Sequence, residues 1–213
     1  MLILVLSDVH GKVGNLEKIV RLIHNKAVEK AVILGDLTNL GGAKQAKEVL
    51  RALEGLEVMA IAGNFDTAEV AEFLEAERVS LHGKSKEVGQ WAFAGFGGGL
   101  SGGAGGFLFS EEEIGKGLGD VLEKSGKTIL VTHLPPFGTG IDKCNTGEHI
   151  GSRSVRKAIE EFKPVLHLCG HCHEAAGEEA LGETTSINVG AVAEGKALLL
   201  DLGEELKWEK IQI

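Results

Sequence analysis

The stretch Leu2-Ile3-Leu4-Val5-Leu6-Ser7-Asp8-Val9-His10-Gly11 decides how this chain is read. Its apolar residues run without alternation. That is the pattern of a strand buried on both faces, which belongs to a parallel, helix-covered sheet. The run then gives way to Asp8 and His10, two metal-ligating residue types at the point where the strand closes. In α/β sheets, ligands collect outside the carboxyl ends of strands.

The same unit repeats downstream. Leu16, Ile19, Val20 and Ile23 fall on one helical stripe, with Asn15 as its candidate cap. Residues 31–34 predict a second buried strand. Ala43, Ala46, Val49, Leu50 and Leu53 mark a second helix, residues 58–62 a third strand and residues 68–76 a short helix. This β-α-β-α-β-α order implies a parallel sheet. Residues 79–81 and 91–96 read as strands, followed by a glycine-rich stretch over 97–106. A helix over 111–124, weakened by Gly115, Gly117 and Gly119, comes next. Then follow a strand at 128–132, a long loop at 135–151, a helix at 152–162, and strands at 165–169, 185–189, 197–202 and 206–213. With no internal repeat and no linker, residues 1–213 are expected to form a single domain.

The later strands also end in metal-ligating types. Asp36 closes the second strand after Gly35, and Asn64 and Asp66 close the third after Gly63. His133 ends the strand that starts at Thr128. His171 and His173 follow the strand that ends at Gly170. Asp8 and His10 stand two apart, as do His171 and His173, so in extended chain each pair points to one side. Carboxylate, amide oxygen and imidazole together suit divalent first-row metals. The set exceeds what one ion needs, so two ions sharing a carboxylate are expected.

Composition bounds the partners. The net charge of −9 disfavours tight binding to long nucleic acid, while bound cations could still attract a small phosphorylated molecule. Hydrophobic residues at 43% and charged residues at 25% are ordinary for a globular protein. The first apolar run lacks the basic start and cleavage site of a signal peptide, and no stretch approaches a membrane span. The three cysteines do not form a secreted disulfide framework. A cytoplasmic protein is the expectation.

With Asp8-Val9-His10, Gly35-Asp36, Gly63-Asn64-Phe65-Asp66, Thr132-His133 and Gly170-His171-Cys172-His173 in this order, the chain resembles the calcineurin-like metallophosphoesterases. His133-Leu134-Pro135-Pro136 and Gly151-Ser152 are similar to the prokaryotic branch of that family. The resemblance implies a four-layer α/β/β/α sandwich with two mixed β-sheets. It implies that Asp8, His10 and His173 hold one metal, that Asn64, His133 and His171 hold a second, and that Asp36 bridges them. A water or hydroxide shared by the two ions would be the nucleophile. Manganese is the first expectation, with Fe, Ni, Co, Zn or Mg as alternatives. Asp36, Asn64 and Asp66 are the candidate catalytic residues. The implied activity is hydrolysis of phosphate esters. The alternative reading is a non-catalytic metal-binding scaffold on the same fold. The partner would be a small phosphorylated substrate, with no membrane and no stable nucleic-acid complex, and a homo-oligomer is compatible.

One position departs from the family. Many members carry His where this chain has Phe65, and that His helps protonate the leaving oxygen. Phe cannot do so. Diesters or activated esters are therefore the expected substrates, with His149 of the long loop as a candidate replacement acid. Among the weaker signals, the glycine stretch reads as a surface loop, or as a mobile rim meeting phosphate. It is not a dinucleotide site, because the next helix starts too late. Cys169 reads as a buried strand residue and Cys172 as pointing away from the metals. Cys144 lies in the long loop, near the substrate in one reading. His24, His82 and His167 read as structural and Arg153 as a surface residue.

Overall fold

The computed structural model describes residues 1–122 and 127–213. One sheet contains β1 (Leu2–Leu6), β2 (Val28–Ile33), β3 (Glu57–Ala60), β12 (Lys196–Leu202) and β13 (Leu206–Gln212), in the order β13-β12-β1-β2-β3. Strands β1, β2 and β3 are parallel, and β12 and β13 join antiparallel. The second sheet has the order β10-β11-β9-β8-β5-β4. It contains β4 (Lys84–Val88), β5 (Trp91–Phe96), β8 (Thr128–Thr132), β9 (Leu166–Cys169), β10 (Gly177–Leu181) and β11 (Thr184–Asn188). Its inner strands β5, β8, β9 and β11 run parallel, while the edge strands β4 and β10 are antiparallel.

Alternation along each strand builds the layers. In β1, Leu4 and Leu6 join a core with Leu16, Ile19, Ala46, Val49, Val70 and Leu74. Those partners come from α1 (Val13–Leu22), α2 (Ala43–Arg51) and α3 (Ala68–Ala76). Ile3 and Val5 point the other way, into a core between the sheets with Phe93, Ile129, Val131 and Leu168. The far face of the second sheet, through Ala94 and Leu130, packs on Ile114 and Leu118 of α4 (Glu111–Val121) and on Val155 and Ile159 of α5 (Arg153–Phe162). Three cores separate four layers, α/β/β/α. Burying each large aliphatic side chain contributes about 1.5–3 kcal/mol. The continuous apolar run in β1 is therefore the record of a strand sandwiched between two cores.

Several local expectations change. Helix α1 starts at Val13, so Asn15 is not its cap. Its side-chain N–H instead donates to the carbonyls of Val192 and Ala193, at 3.3 and 3.0 Å. The expected strand at 79–81 reduces to an isolated bridge at Ser80. Strand β4 had no apolar signature because Lys84, Ser85, Lys86 and Glu87 are exposed at a sheet edge. Charged edge residues of this kind discourage strand addition. The glycine-rich stretch pairs through β6 (Gly99–Leu100) with β7 (Leu108–Phe109), and residues 101–106 beyond that pairing form an exposed surface loop. Helix α4 ends at Val121, and the remainder of the expected span, 123–124, lies outside the described residues. Ser110 caps α4 through a reciprocal bond with Glu113.

Candidate metal centre

The ligand-bearing turns all leave the carboxyl ends of strands. Three of them hold non-glycine residues in the left-handed region: Asp8 at φ 54° and His10 at 46° on the first, Asp36 at 53° on the second and His171 at 70° on the last. Such backbone is sterically costly for L residues, and clustering at one edge marks a constructed site. Gly35, at φ 105°, permits the tight approach of two of these turns. A Cβ there would stand 2.6 Å from His133 Nδ1 and 2.8 Å from the Gly63 backbone.

Two groups of ligand atoms result. In the first, Asp8 Oδ1 lies 3.0 Å from His173 Nε2 and 3.7 Å from His10 Nε2, and the two imidazole nitrogens are 3.2 Å apart. In the second, Asn64 Oδ1 lies 2.8 Å from His133 Nε2 and 3.0 Å from His171 Nδ1. Asp36 Oδ2 sits between the groups, 3.6 Å from His10 Nε2 and 3.4 Å from His133 Nε2. Ligands about 2.1 Å from a divalent ion are separated by about 3.0 Å along octahedral edges and about 3.4 Å along tetrahedral ones. The observed spacings fit ions of that size in both groups, with one carboxylate oxygen available to each.

Partners behind the ligands aim each atom. Asp8 Oδ2 accepts from Ser7 Oγ at 2.6 Å and from the His171 amide at 3.0 Å, which leaves Oδ1 for the centre. Asp36 Oδ1 accepts from the Phe65 amide at 2.7 Å, which leaves Oδ2. The Asn64 carboxamide donates through Nδ2 to the Ala104 carbonyl at 2.8 Å, so its oxygen faces inward. His133 Nδ1 lies 2.9 Å from the Leu34 carbonyl. A carbonyl only accepts, so Nδ1 carries a proton and Nε2 is the nitrogen left to face the centre.

The carboxylates and imidazoles of the site shift one another's ionisation. Burial opposes ionisation of Asp8, but hydrogen bonds from His10 and His173 hold its carboxyl well below the usual carboxylate range. Burial opposes a charge on His133, yet Asp36 raises its imidazole to about 9. Burial, with His133 beside it, pushes His171 down to about 4.

All seven expected ligands, Asp8, His10, Asp36, Asn64, His133, His171 and His173, therefore meet at one place. Asp66 does not present an atom to it. Its buried carboxylate accepts from the Leu37, Thr38 and Gly63 amides and from Thr38 Oγ1, at 2.9–3.1 Å. It joins the turn bearing Asp36 to the turn bearing Asn64. Burial and the nearby Asp36 raise its carboxyl to about 6. His149 is engaged by Asp142 Oδ1 at 2.7 Å. Cys172 turns away from the neighbouring ligands to meet Cys144 Sγ at 3.8 Å, and Cys169 is buried. Arg153 is exposed, its guanidinium 3.8 Å from the Phe137 ring centroid. His82 accepts from the Gly97 amide at 3.0 Å within a cluster of Phe96, Phe107 and Phe109.

The parts that sequence reasoning missed are the aiming groups. Ser7 precedes Asp8 and could have been noticed. The Leu34 and Ala104 carbonyls and the Phe65 amide carry no residue-type signal.

A family model for the calcineurin-like phosphoesterase superfamily domain matches residues 1–200. An uncharacterized protein of Methanocaldococcus jannaschii is 32% identical over 197 residues, covering 88% of this chain and 87% of the relative. Among solved structures, a Thermus thermophilus protein superposes with a TM-score of 0.73 at 20% identity, covering 98% and 97% of the two chains. A dimetal phosphatase from Danio rerio superposes with a TM-score of 0.69 at 12% identity, covering 100% and 96%. These structural likenesses show a shared fold. The match across residues 1–200 shows that this chain belongs to the calcineurin-like phosphoesterase superfamily.

Proposed function

We propose that this chain is a dinuclear-metal phosphoesterase that favours phosphodiesters or activated esters, with manganese as its first-choice metal. The position of Asp36 Oδ2 carries the reading. It stands within 3.6 Å of a histidine from each ligand group, the place a bridging oxygen occupies. A solved structure of the same fold, from Danio rerio, is a dimetal phosphatase. When bound, two divalent cations acidify water and neutralise charge on phosphate oxygens.

The chain's own residues do the remaining work. Asp8, His10 and His173 face one side of Asp36, and Asn64, His133 and His171 face the other, so a phosphate group is oriented between them. Phe65 packs edge-on against His10, with ring centroids 5.7 Å apart, and offers no proton. Asp66 is committed to backbone amides, while His149 meets Asp142 through Nδ1. With Phe65 in place of the histidine, a leaving alkoxide has no proton donor at that position, a group of the kind typically worth about 10²–10⁴ in rate. Esters whose leaving group needs little protonation suffer least. Asp66 acts as a positioning residue, and the enzyme works in the cytoplasm on a small phosphorylated molecule.

The test is a matched panel of monoesters and diesters assayed with Mn, Ni and Mg, beside Phe65→His. The wild type should prefer diesters and aryl esters. The variant should gain at least tenfold on an alkyl monoester. Equal wild-type rates on an unactivated alkyl monoester and its diester would sink the preference. Full metal loading with no turnover on any ester would favour the scaffold reading.

A further inference from the structure

Beside the second ligand group lies a cavity of about 450 Å³. Asn64 and His171 form its inner end. Phe65, Leu100, Leu134 and Ile150 supply its large walls, and the glycine-rich stretch closes the rest with small residues. Among the described residues, no Lys, Arg, Asp or Glu lines it. It touches ligands of the second group and none of Asp8, His10 or His173. A phosphate centred on Asp36 would therefore extend one substituent directly into it. The volume suits a small organic group.

Phe65 gives the cavity its character. The residue that removes the proton donor also builds an apolar wall next to the centre. Leu100 and Ile150 are half-buried in the protein alone, so each leaves apolar surface to be covered. A carboxylate at the outer part of the cavity, against Leu100 and Ile150, would meet apolar surface and no Lys or Arg, which is unfavourable. An aryl or short alkyl group would lose only unfavourable contact with water.

We propose that this cavity is the subsite for an uncharged, apolar ester arm, aryl or short alkyl, so that preferred substrates carry such a group next to the scissile phosphate. The inference deepens the phosphoesterase reading and rests on it.

Alkylphosphonates test it without a bond to cleave. Methyl-, ethyl-, propyl- and butylphosphonate are titrated calorimetrically into the manganese-loaded protein, with 3-carboxypropylphosphonate as the charged counterpart. Affinity should rise about fourfold per methylene, the factor expected for burying one CH₂. The carboxylate-tipped ligand should bind at least tenfold more weakly than butylphosphonate. Ile150→Lys and, separately, Leu100→Lys should erase that discrimination or invert it. Both positions are half-buried and can admit a lysine whose ammonium reaches solvent.

A flat series from methyl to butyl, on protein that holds two manganese ions and hydrolyses a diester, would overturn the subsite alone. Preference for the carboxylate-tipped ligand in the wild type would do the same. Protein that takes up no manganese would overturn the phosphoesterase reading and the subsite with it.

Discussion

His167 lies fully buried beneath the turn that carries His133, and replacing it should change how the fold responds to acid. Its partners define its state. Thr132 Oγ1 donates to the Leu134 carbonyl at 2.6 Å, so at 2.8 Å it accepts from His167 Nε2. His167 Nδ1 then accepts from Ser186 Oγ at 2.6 Å. The imidazole is neutral and both nitrogens are satisfied, and burial pushes its pKa down to about 3. The unfolded value is about 6.5. A histidine depressed in the native state contributes stability above its unfolded pKa and loses it as pH falls toward the folded one. Between pH 7 and pH 5 linkage puts that loss at about 2 kcal/mol. His167→Gln keeps a donor for Thr132 but cannot titrate. At pH 7 the variant should be less stable by about 1–3 kcal/mol, because Ser186 loses its acceptor. At pH 5 the gap should shrink by about 2 kcal/mol. Urea unfolding of both proteins in EDTA measures this, since the remaining histidines contribute equally and cancel. Parallel losses of stability in the two proteins would refute the assignment of a neutral, doubly bonded His167.

Other predictions concern the centre. Asp66→Asn puts an amide nitrogen against backbone donors, at Leu37 and Gly63 or at Thr38. Manganese affinity should fall about 10–100-fold, measured by calorimetry. Unaltered affinity with a shifted pH–rate profile would instead make Asp66 a catalytic group. Gly105→Ala places a Cβ on the Asn64 carbonyl at a φ of 136°. It should weaken the second manganese equivalent more than the first, and equal weakening would contradict a role for the loop in aiming Asn64. Removing metal with EDTA should lower the melting temperature, because ions that bind only the native state at 100 times their Kd add about 2.7 kcal/mol per site. A melting temperature independent of manganese would argue against native-state binding.

Legibility followed residue type and burial. Strands such as β1 and β8 were readable because both faces are buried, so their apolar runs are unbroken. Strands β4 and β10 are sheet edges whose outward residues are Lys, Ser and Glu, and the same pattern also fits a loop. The ligands were readable because Asp, His and Asn recur where strands end. The groups that aim them were not, because the Leu34 carbonyl, the Ala104 carbonyl and the Phe65 amide belong to every residue type alike. Asn15 misled for a related reason. A side chain suited to capping its own helix served carbonyls 177 and 178 positions away. Sequence shows which functional groups exist, and topology decides which of them meet.

The glycine-rich stretch shows how local composition and site chemistry become one problem. Between Gly97 and Gly106 the chain passes so near the third strand's exit that side chains would strike Ala62 or Asn64 at several points. The close passage lets the Ala104 carbonyl reach Asn64 Nδ2, and it lets the Asn64 carbonyl accept from the Gly106 amide at 2.7 Å. Both ends of one residue are thereby fixed. An amide side chain presents oxygen or nitrogen according to which way it is turned, and only oxygen ligates a hard cation. A carboxylate would not need this support, since both of its ends are oxygen. In the proposed centre Asn64 contributes an oxygen without adding a negative charge beside Asp8 and Asp36. The glycine stretch, which also lines the apolar cavity, is the structural cost that a neutral ligand at this position of the proposed centre entails.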